Sequence, residues 1–338
     1  MEKIAVIGAG AWGTALAATL SRAGRSVLLW AHEPEVAAGI AANGRNPLFL
    51  PDILLNGVTA VTDLALTADA DALLLVTPAQ FLRALCRRLR PHWPEGRPAV
   101  ICAKGIETGS LRTMSEVVAE ELPQAALAVL SGPTFAIEVA SGLPTAITLA
   151  ASDTEMGHRL VRAIGTASFR PYLTDDVIGA ELGGAVKNVL AIACGVVEGR
   201  GLGDNARAAL ITRGLAELTR LAVAKGGRAV TCMGLSGLGD LILTASSPQS
   251  RNYSLGYALG QGQSLAAVLA TRRSVTEGVA SAASVVGLAE KMSIEMPIAS
   301  AVKGLLHDGA DIDQTIEGLL ARPFTAELGF GRPGARVT

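Results

Sequence analysis

A glycine-rich turn near the start of the chain sets strong limits on the fold. A short apolar stretch at residues 3–7 contains β-branched residues, which favour strands. The sequence Gly8-Ala9-Gly10-Ala11-Trp12-Gly13 follows at once, and a helical apolar pattern continues over residues 14–20. Strand, tight turn and helix in this order, with this glycine spacing, are typical of the first unit of a dinucleotide-binding fold.

Each glycine of the turn has a separate physical role in such a fold. Gly8 permits the tight turn, Gly10 lets the backbone approach a pyrophosphate, and Gly13 lets helix and strand pack closely. The free N–H groups at the start of the helix would bind that pyrophosphate. A secretory signal peptide is the competing interpretation, but the glycines and Trp12 interrupt the apolar core that such a peptide needs.

The first half of the chain alternates short apolar runs with helical patterns, which indicates a doubly wound parallel sheet. The predicted strands cover residues 3–7, 26–30, 71–76, 99–103, 127–130 and 145–149, with a further run at 169–173. Ligands of open α/β sheets bind beyond the carboxyl ends of the strands. We therefore expect the loops that contain Gly8, Pro78, Lys104 and Gly132 to line one crevice.

The second half of the chain shows helical periodicity. The predicted helices cover residues 177–197, 205–224, 264–271, 277–292, 297–307 and 312–321. We predict an α/β fold in which an N-terminal Rossmann-type doubly wound sheet, residues 1–175, precedes an all-α C-terminal domain, residues 176–323. Residues 324–338 lack periodicity and are expected to form a flexible tail. Arg213 and Glu217, one helical turn apart, are expected to form a solvent-exposed pair.

One of these helices is apolar on nearly every side yet contains a lysine. The segment 183–192 reads Gly-Gly-Ala-Val-Lys-Asn-Val-Leu-Ala-Ile, and a helix without a polar face belongs in a protein interior. A buried ammonium group costs free energy unless it has a partner or its pKa falls. Lys187 is therefore a candidate general acid or base. The alternative is a lysine whose stem lies on apolar surface while its ammonium group reaches water.

Composition excludes several other classes of protein. The formal net charge is −1, from 29 Lys and Arg against 30 Asp and Glu, and the absence of a basic run excludes a nucleic-acid face. We find no uninterrupted apolar segment long enough to cross a bilayer. The four cysteines and four histidines are scattered, so we expect reduced thiols, a cytoplasmic location and no metal site. An exposed apolar helical face could pair two subunits, which leaves a homodimer open.

Further motifs follow in a fixed order along the chain. They are Ala103-Lys104-Gly105, Ser131-Gly132-Pro133-Thr134-Phe135-Ala136, Gly183-Gly184-Ala185-Val186-Lys187-Asn188, Gly237-Leu238-Gly239-Asp240-Leu241, Ser250-Arg251-Asn252 and Glu277-Gly278. Together with the glycine-rich turn, this set resembles the bacterial NAD(P)-dependent glycerol-3-phosphate dehydrogenases over nearly the whole length. The resemblance implies reduction of dihydroxyacetone phosphate to sn-glycerol 3-phosphate, a supply reaction for glycerophospholipid synthesis, with hydride passing from the nicotinamide to the C2 carbonyl.

The resemblance implies three residues at the reacting carbonyl. Lys187 would protonate the C2 oxygen as hydride arrives and would act as the base in the reverse direction. Burial and a second cation, Lys104, would lower its pKa. Asp240 would hold the Lys187 ammonium group by a charge-assisted hydrogen bond. The alternative for Asp240 is an ordinary N-cap of the helix that follows it.

The remaining residues implied by the resemblance bind phosphate and cofactor. Arg251 offers a planar fork for the substrate phosphate, and its neighbours offer neutral donors. The predicted substrate-binding residues are Lys104, Gly132, Thr134, Lys187, Asn188, Asp240, Ser250, Arg251 and Asn252. The predicted cofactor-binding residues are Gly8, Gly10, Ala11, Trp12, Gly13, His32, Pro78, Lys104, Ala136, Arg251 and Glu277.

The preference between the two cofactors is predicted from the end of the second strand. An acid there usually binds the ribose hydroxyls of NAD, whereas a basic group accommodates the 2′-phosphate of NADP. His32 is at the expected position and Glu33 is one residue late, so NADP(H) is favoured and NAD(H) stays open. Two other functions remain alternatives: a β-hydroxyacid dehydrogenase of similar two-domain build, and a non-catalytic dinucleotide sensor.

Overall fold

A computed structural model describes residues 1–272 and 276–323 of the chain. Its strands are β1 (Lys3–Ile7), β2 (Ser26–Trp30), β3 (Val58–Val61), β4 (Ala72–Leu75), β5 (Pro98–Ile101), β6 (Ala126–Ser131), β7 (Thr145–Ala150) and β8 (Phe169–Thr174). They form one eight-stranded sheet in the order β3-β2-β1-β4-β5-β6-β7-β8. The tail predicted over residues 324–338 lies outside the described residues.

The prediction of a doubly wound sheet followed by helices is confirmed, with two corrections. The sequence pattern does not predict β3, because this edge strand is short and only partly buried. The sheet is also not wholly parallel, since β7 runs antiparallel to β6. The helix between them, α5 (Ala136–Ala140), has five residues and spans about 7.5 Å. It is too short to carry the chain back along a strand of about 20 Å.

In the first part of the chain helices cover both faces of the sheet, and after the last strand the second part is helical. Those of the first part are α1 (Ala11–Arg22), α2 (Pro34–Asn43), α3 (Leu82–Leu89), α4 (Met114–Glu121), α5 and α6 (Thr154–Ile164). Those of the second part are α7 (Val177–Gly199), α8 (Gly203–Ala224), α9 (Ala229–Cys232), α10 (Asp240–Ala245), α11 (Arg251–Gly260), α12 (Leu265–Ala270), α13 (Glu277–Lys291), α14 (Pro297–His307) and α15 (Ile312–Leu320). A π-helical turn, Leu235–Gly239, leads into α10.

The alternation of side chains along the strands produces two separate cores. On β1 and β4, Val6 and Leu74 pack into the core on one face of the sheet, while Ile7 and Leu75 pack into the core on the other face. All four side chains are fully buried. A sheet covered on both faces needs strands that are apolar throughout, which explains why the strands are visible in the sequence as continuous apolar runs.

Helix α7 is the central element of the helical part. A Cβ at Gly195 would overlap the carbonyl oxygen of Tyr253, and one at Gly256 would overlap that of Ile192, so glycines let α7 and α11 pack backbone to backbone. By length and composition α7 is long and apolar enough to cross a membrane, although Glu181, Lys187 and Glu198 interrupt its apolar residues. It is buried inside the fold over most of its length, as the core helix of a folded protein is.

The junction between sheet and helices is short. β8 ends at Thr174 and α7 begins at Val177, and the side chain of Asp176 accepts a hydrogen bond from Gly179 N at 2.9 Å. This contact caps the start of α7. The division into two domains at residue 175 stays a prediction.

Glu217 departs from the expected exposed pair with Arg213. Arg213 is exposed, but Glu217 is buried and its carboxylate accepts hydrogen bonds from Ile298 N at 2.8 Å and Ala299 N at 3.2 Å. It therefore caps the first turn of α14 from a neighbouring helix. Burial raises the pKa of Glu217 to about 7.

The raised pKa of Glu217 gives a testable pH dependence of stability. A carboxyl group whose pKa is higher in the folded than in the unfolded protein stabilises the fold at low pH, and this contribution is lost as pH rises through the folded value. We expect the free energy of unfolding to fall between pH 4.5 and 7 by on the order of 3 kcal/mol more in the wild type than in Glu217→Gln. Denaturant unfolding across this range measures the difference, and the exposed Glu317→Gln is the control. Parallel curves for wild type and Glu217→Gln would contradict the assignment.

Candidate active site

The predicted site residues gather at one edge of the sheet. Strands β1, β2, β4, β5 and β6 are parallel neighbours, so their carboxyl ends meet at this edge. Gly8, His32, Pro78, Lys104 and Gly132 lie just beyond these ends. The structure therefore brings together the loops that the sequence analysis assigned to one crevice.

The glycine-rich turn has the shape that a pyrophosphate requires. Gly8 has φ 120°, and a Cβ at Gly13 would overlap the carbonyl oxygen of Gly8, so both positions need glycine. Apart from its chain neighbours and its own helix, a Cβ at Gly10 would meet no atom of residues 1–272 and 276–323 within 4 Å, which leaves space beside the turn. Gly10 is the N-cap of α1, and this N-cap residue makes no side-chain cap hydrogen bond. Its N–H groups therefore fit an anionic ligand.

A buried amide supports this turn from beneath. Asn46 Nδ2 donates to Ala9 O and to Thr14 Oγ1, both at 2.8 Å. Its Oδ1 accepts from Leu48 N and Phe49 N, both at 3.0 Å. Asn46 is fully buried, and the four bonds use its whole hydrogen-bonding capacity. No local pattern in the sequence distinguishes Asn46, because an asparagine between α2 and β3 resembles any loop residue, and it was not among the predicted site residues.

Two ammonium groups share one buried carboxylate at the centre of the site. Asp240 Oδ1 lies 2.6 Å from Lys187 Nζ, and Asp240 Oδ2 lies 2.7 Å from Lys104 Nζ. Lys187 Nζ also donates to Thr244 Oγ1 at 2.8 Å, and Lys104 Nζ donates to Gly132 O at 3.2 Å. Lys187 is 7% exposed and Asp240 is fully buried. The alternative of a lysine that reaches water is therefore wrong.

Small residues on α7 allow this approach. A Cβ at Gly183 would overlap the carbonyl oxygen of Ser236 in the π-helical turn, and a Cβ at Gly184 would lie 2.8 Å from Ser131 Oγ and 3.2 Å from Lys104 Cγ. Gly239, not Asp240, is the N-cap of α10, and Asp240 is the first residue of that helix. The interpretation of Asp240 as an ordinary N-cap is therefore wrong, because its carboxylate faces the two lysines.

The surroundings of Lys187 bring its pKa into a range useful for proton transfer. Burial lowers the pKa of Lys187 to about 8, the Asp240 carboxylate raises it and the Lys104 ammonium group lowers it. Both protonation states are thus populated near neutral pH. Thr244, which is not among the residues predicted from the sequence, orients the ammonium group. The available signal was its position one helical turn after Asp240.

Helices α11 and α13 close the other side of Lys187. Asn252 Nδ2 donates to Asn188 Oδ1 at 2.8 Å, and Asn252 Oδ1 accepts from Gly278 N at 3.1 Å. Asn188 Nδ2 is buried and has no hydrogen-bond partner within the described residues. A ligand oxygen would satisfy this donor. Burial raises the pKa of the neighbouring Glu277. The positive charges of Arg251, Lys104 and Lys187 act in the opposite direction and lower that pKa.

The other predicted site residues lie at element boundaries. Ser250 is the N-cap of α11 and accepts from Tyr253 N at 3.2 Å, and Arg251 is the first residue of that helix. Thr134 Oγ1 donates to Gly132 O at 3.3 Å, and Ala136 begins α5. These positions are observed, while the binding and catalytic roles assigned from the sequence stay predictions.

The end of β2 carries aromatic and basic groups. His32 is exposed, and its ring centroid lies 6.1 Å from that of Trp30. The guanidinium carbon of Arg88 lies 5.4 Å from the Trp30 ring. Glu33 occupies the N-cap position of α2 without a side-chain cap. Across residues 1–272 and 276–323, no three His, Cys, Asp or Glu side chains are placed to hold a metal ion.

Family models match most of the chain. The model of the NAD-dependent glycerol-3-phosphate dehydrogenase N-terminus matches residues 3–157, and that of the C-terminus matches residues 176–317. The chain belongs to the NAD-dependent glycerol-3-phosphate dehydrogenase family. The resemblance stated from the sequence motifs is therefore confirmed.

Individual relatives agree with the family models. The chain is 61% identical over 331 residues to a glycerol-3-phosphate dehydrogenase (NAD(P)+) of Rhodospirillum rubrum, covering 97% of this chain and 95% of the relative. It is 58% identical over 327 residues to one of Parvibaculum lavamentivorans, covering 96% and 98%. The crystal structure of a glycerol-3-phosphate dehydrogenase of Coxiella burnetii is similar with a TM-score of 0.91 at 41% identity, covering 95% and 99%.

Substitutions in the glycine-rich turn separate folding from ligand binding. In Gly13→Ala the added methyl group overlaps the Gly8 carbonyl, so we expect a lower melting temperature and weaker NADPH binding. In Gly10→Ala the methyl group meets open space, so the melting temperature should stay nearly unchanged. The dissociation constant for NADPH should nevertheless rise about tenfold or more, which corresponds to about 1.4 kcal/mol. Thermal unfolding and NADPH fluorescence titration measure both. Unchanged NADPH binding in Gly10→Ala would place the dinucleotide elsewhere.

Proposed function

We propose that this protein catalyses the reversible NAD(P)H-dependent reduction of dihydroxyacetone phosphate to sn-glycerol 3-phosphate, a product that supplies glycerophospholipid synthesis. The observation that carries the proposal is the Lys187–Asp240–Lys104 group, which lies at the same sheet edge as the glycine-rich turn. The names of the similar proteins from Rhodospirillum rubrum and Parvibaculum lavamentivorans support this reaction.

Lys187 moves the proton in the proposed mechanism. A bound nicotinamide would supply the hydride. In the direction of reduction, the Lys187 ammonium group donates a proton to the C2 oxygen as negative charge develops there. In the direction of oxidation, the neutral amine of Lys187 accepts the proton of the C2 hydroxyl. A pKa of about 8 suits both directions, because neither protonation state is rare near neutral pH.

Asp240 and Lys104 orient the site and balance its charge. The Asp240 carboxylate and Thr244 Oγ1 hold Lys187 Nζ in one position, so the proton is presented from a defined place. Lys104 adds a second positive charge, which stabilises the developing alkoxide. Asn188 Nδ2, which has no hydrogen-bond partner in the described part of the chain, is a further donor for a substrate oxygen.

The cofactor is proposed to be NADP(H) in preference to NAD(H). His32 and Arg88 place basic groups around Trp30 at the end of β2, where a 2′-phosphate would lie. Glu33, at the N-cap of α2, is the group that would favour NAD(H) instead.

Features of the site argue against the two alternative functions, a β-hydroxyacid dehydrogenase and a non-catalytic dinucleotide sensor. A β-hydroxyacid dehydrogenase binds a carboxylate, whereas Ser250, Arg251 and Asn252 at the start of α11 suit a phosphate group. A non-catalytic sensor has no need of a lysine with a lowered pKa beside a buried carboxylate. Both alternatives are less well supported than glycerol-3-phosphate dehydrogenase activity.

The cellular setting is also a proposal. Cys86, Cys102, Cys194 and Cys232 are buried free thiols, which supports a reducing, cytoplasmic location.

Exposed Tyr172 and Val230 line one surface cleft of about 520 Å³, and such an apolar surface could pair two copies in a homodimer. Sedimentation equilibrium would determine the oligomeric state.

Replacing Lys187 tests the proton donor. We expect Lys187→Ala to lower kcat by about a hundredfold or more, as the loss of a general acid does, while NADPH binding stays nearly intact. In the wild type, kcat for reduction should fall as pH rises above about 8, the pKa of Lys187, because the ammonium form disappears. The rate of oxidation should rise over the same range. The exposed Lys291→Ala is the control, and a Lys187→Ala variant that keeps most of its kcat would assign the proton to another group.

Replacing Arg251 tests the phosphate site. Loss of a charge-assisted bidentate contact costs about 1.5 to 3 kcal/mol, so Arg251→Ala should raise KM for dihydroxyacetone phosphate roughly 10- to 150-fold. Turnover of unphosphorylated dihydroxyacetone by Arg251→Ala should hardly change. The control is Arg213→Ala, at an exposed position, which should turn over both substrates like the wild type. Equal losses with both substrates would show that Arg251 does not bind the substrate phosphate.

Replacing His32 tests the cofactor preference. In His32→Asp a carboxylate would accept hydrogen bonds from the ribose hydroxyls and repel a 2′-phosphate. We expect the ratio of kcat/KM for NADPH over NADH to fall about ten- to hundredfold. Measurements with both cofactors on both proteins decide the point. A wild type that prefers NADH, with a ratio unchanged by the substitution, would assign the ribose contact to Glu33.

A further inference from the structure

The loop that carries Lys104 is held from outside the site. Gln80 lies beyond β4, two residues after Pro78, and its Nε2 donates to Ile106 O at 3.0 Å. Its Oε1 accepts from Thr108 N at 2.9 Å. The side-chain amide of Gln80 therefore donates to one backbone group of residues 106–108 and accepts from another, as the backbone of a neighbouring strand would.

Arg83, three residues further on, holds the same loop by charge. Its guanidinium group makes a bidentate pair with Glu107, with both N–O distances 2.8 Å. It also contacts Glu121 at 2.7 Å and Glu120 at 2.8 Å on α4. The side chains of Arg83 and Glu107 are only 21% and 13% exposed, so solvent screens this pair less than a surface pair. Arg83 holds the pKa of Glu107 below its usual value.

The other side of the loop contacts the helical part of the protein. Ile106 is fully buried in the core formed around α7, and Thr108 Oγ1 lies 3.4 Å from Ser284 Oγ on α13. Residues 106–108 are thus fixed between Gln80 and Arg83 on one side and the helices on the other. Lys104 lies two residues before this segment, and its ammonium group is bonded to Asp240.

We propose that Arg83 and Gln80 are positioning residues for the reaction, which hold residues 104–108 so that the Lys104 ammonium group stays on Asp240 Oδ2. This inference rests on the proposed function. Neither side chain belongs to the group around Lys187, and their contacts to the loop run through Glu107 and the backbone of Ile106 and Thr108. Their effect on the reaction is therefore indirect and electrostatic.

The consequence for Lys187 has a definite sign. The charged groups that face Lys187 are Asp240 from α10, Lys104 from the loop after β5 and Glu277 from α13. If the loop moves and Lys104 leaves, the repulsion between the two ammonium groups disappears and Asp240 is shared no longer. Both changes favour the charged form of Lys187. The alkaline limb of the pH profile for reduction should then move to higher pH.

The experiment compares Arg83→Gln and Gln80→Ala with Arg87→Ala. Arg87 lies on the same helix and pairs with Glu121 at 3.1 Å, so it controls for a general loss of ion pairs on α3. For the two test variants we expect kcat for dihydroxyacetone phosphate reduction to fall about tenfold. The midpoint of the alkaline limb of the pH profile should move to higher pH by about half a pH unit or more. KM for NADPH should change less than about twofold, and the Thr108 amide should exchange hydrogen faster. Arg87→Ala should show none of these changes.

Three outcomes have distinct meanings. An unchanged alkaline limb and kcat in both test variants, with only a lower melting temperature, would show that Arg83 and Gln80 are structural and would overturn the inference. An alkaline limb that stays closer to its wild-type position in Arg83→Lys, which keeps a cation beside Glu107, than in Arg83→Gln would support it. Wild-type protein that binds NADPH but does not turn over dihydroxyacetone phosphate would refute the proposed function, and the inference with it.

Discussion

One buried carboxylate, shared by two ammonium groups, is the interaction on which the arrangement of this site depends. Asp240 is fully buried, and its two oxygens contact Lys187 and Lys104 at 2.6 and 2.7 Å. Buried charges are stable only when their partners are held in good geometry, and loss of one partner leaves an uncompensated charge. Three separate elements, α7, α10 and the loop after β5, must therefore meet at this point. Stability of the fold and chemistry of the site depend on the same contact.

Close backbone packing makes that meeting possible. Gly183 lets α7 lie on the π-helical turn before Asp240, and Gly184 leaves room for the stem of Lys104. Gly195 then seats α11, whose Asn252 contacts Asn188, the residue after Lys187. A side chain at Gly183 would push the turn before Asp240 away from α7, and one at Gly184 would push away the stem of Lys104. An ion pair at hydrogen-bond distance does not tolerate a displacement of that size. The apolar, glycine-containing character of α7 is thus tied to the electrostatics of Lys187.

Sequence patterns predicted what depends on neighbouring residues and missed what depends on distant ones. The glycine-rich turn, most strands and the buried lysine follow from local spacing and periodicity. Asn46 contacts Thr14 across 32 residues, and Thr244 contacts Lys187 across 57, so neither contact leaves a local pattern. Glu217 was assigned to solvent because helical periodicity cannot show that α14 begins against that face. The role assigned to Asp240 came from the family resemblance, since no spacing connects it to Lys187.

The balance of forces on Lys187 explains why one residue suits both directions of the proposed reaction. Burial alone would favour a neutral amine, and Asp240 alone would favour a permanent ammonium group. Neither extreme is a good acid and a good base in turn. Lys104 occupies the second oxygen of Asp240 and so weakens its hold on the Lys187 proton, which leaves the pKa of Lys187 at about 8. The position of Lys104, which the loop after β5 determines, therefore adjusts the acidity of a group on another helix.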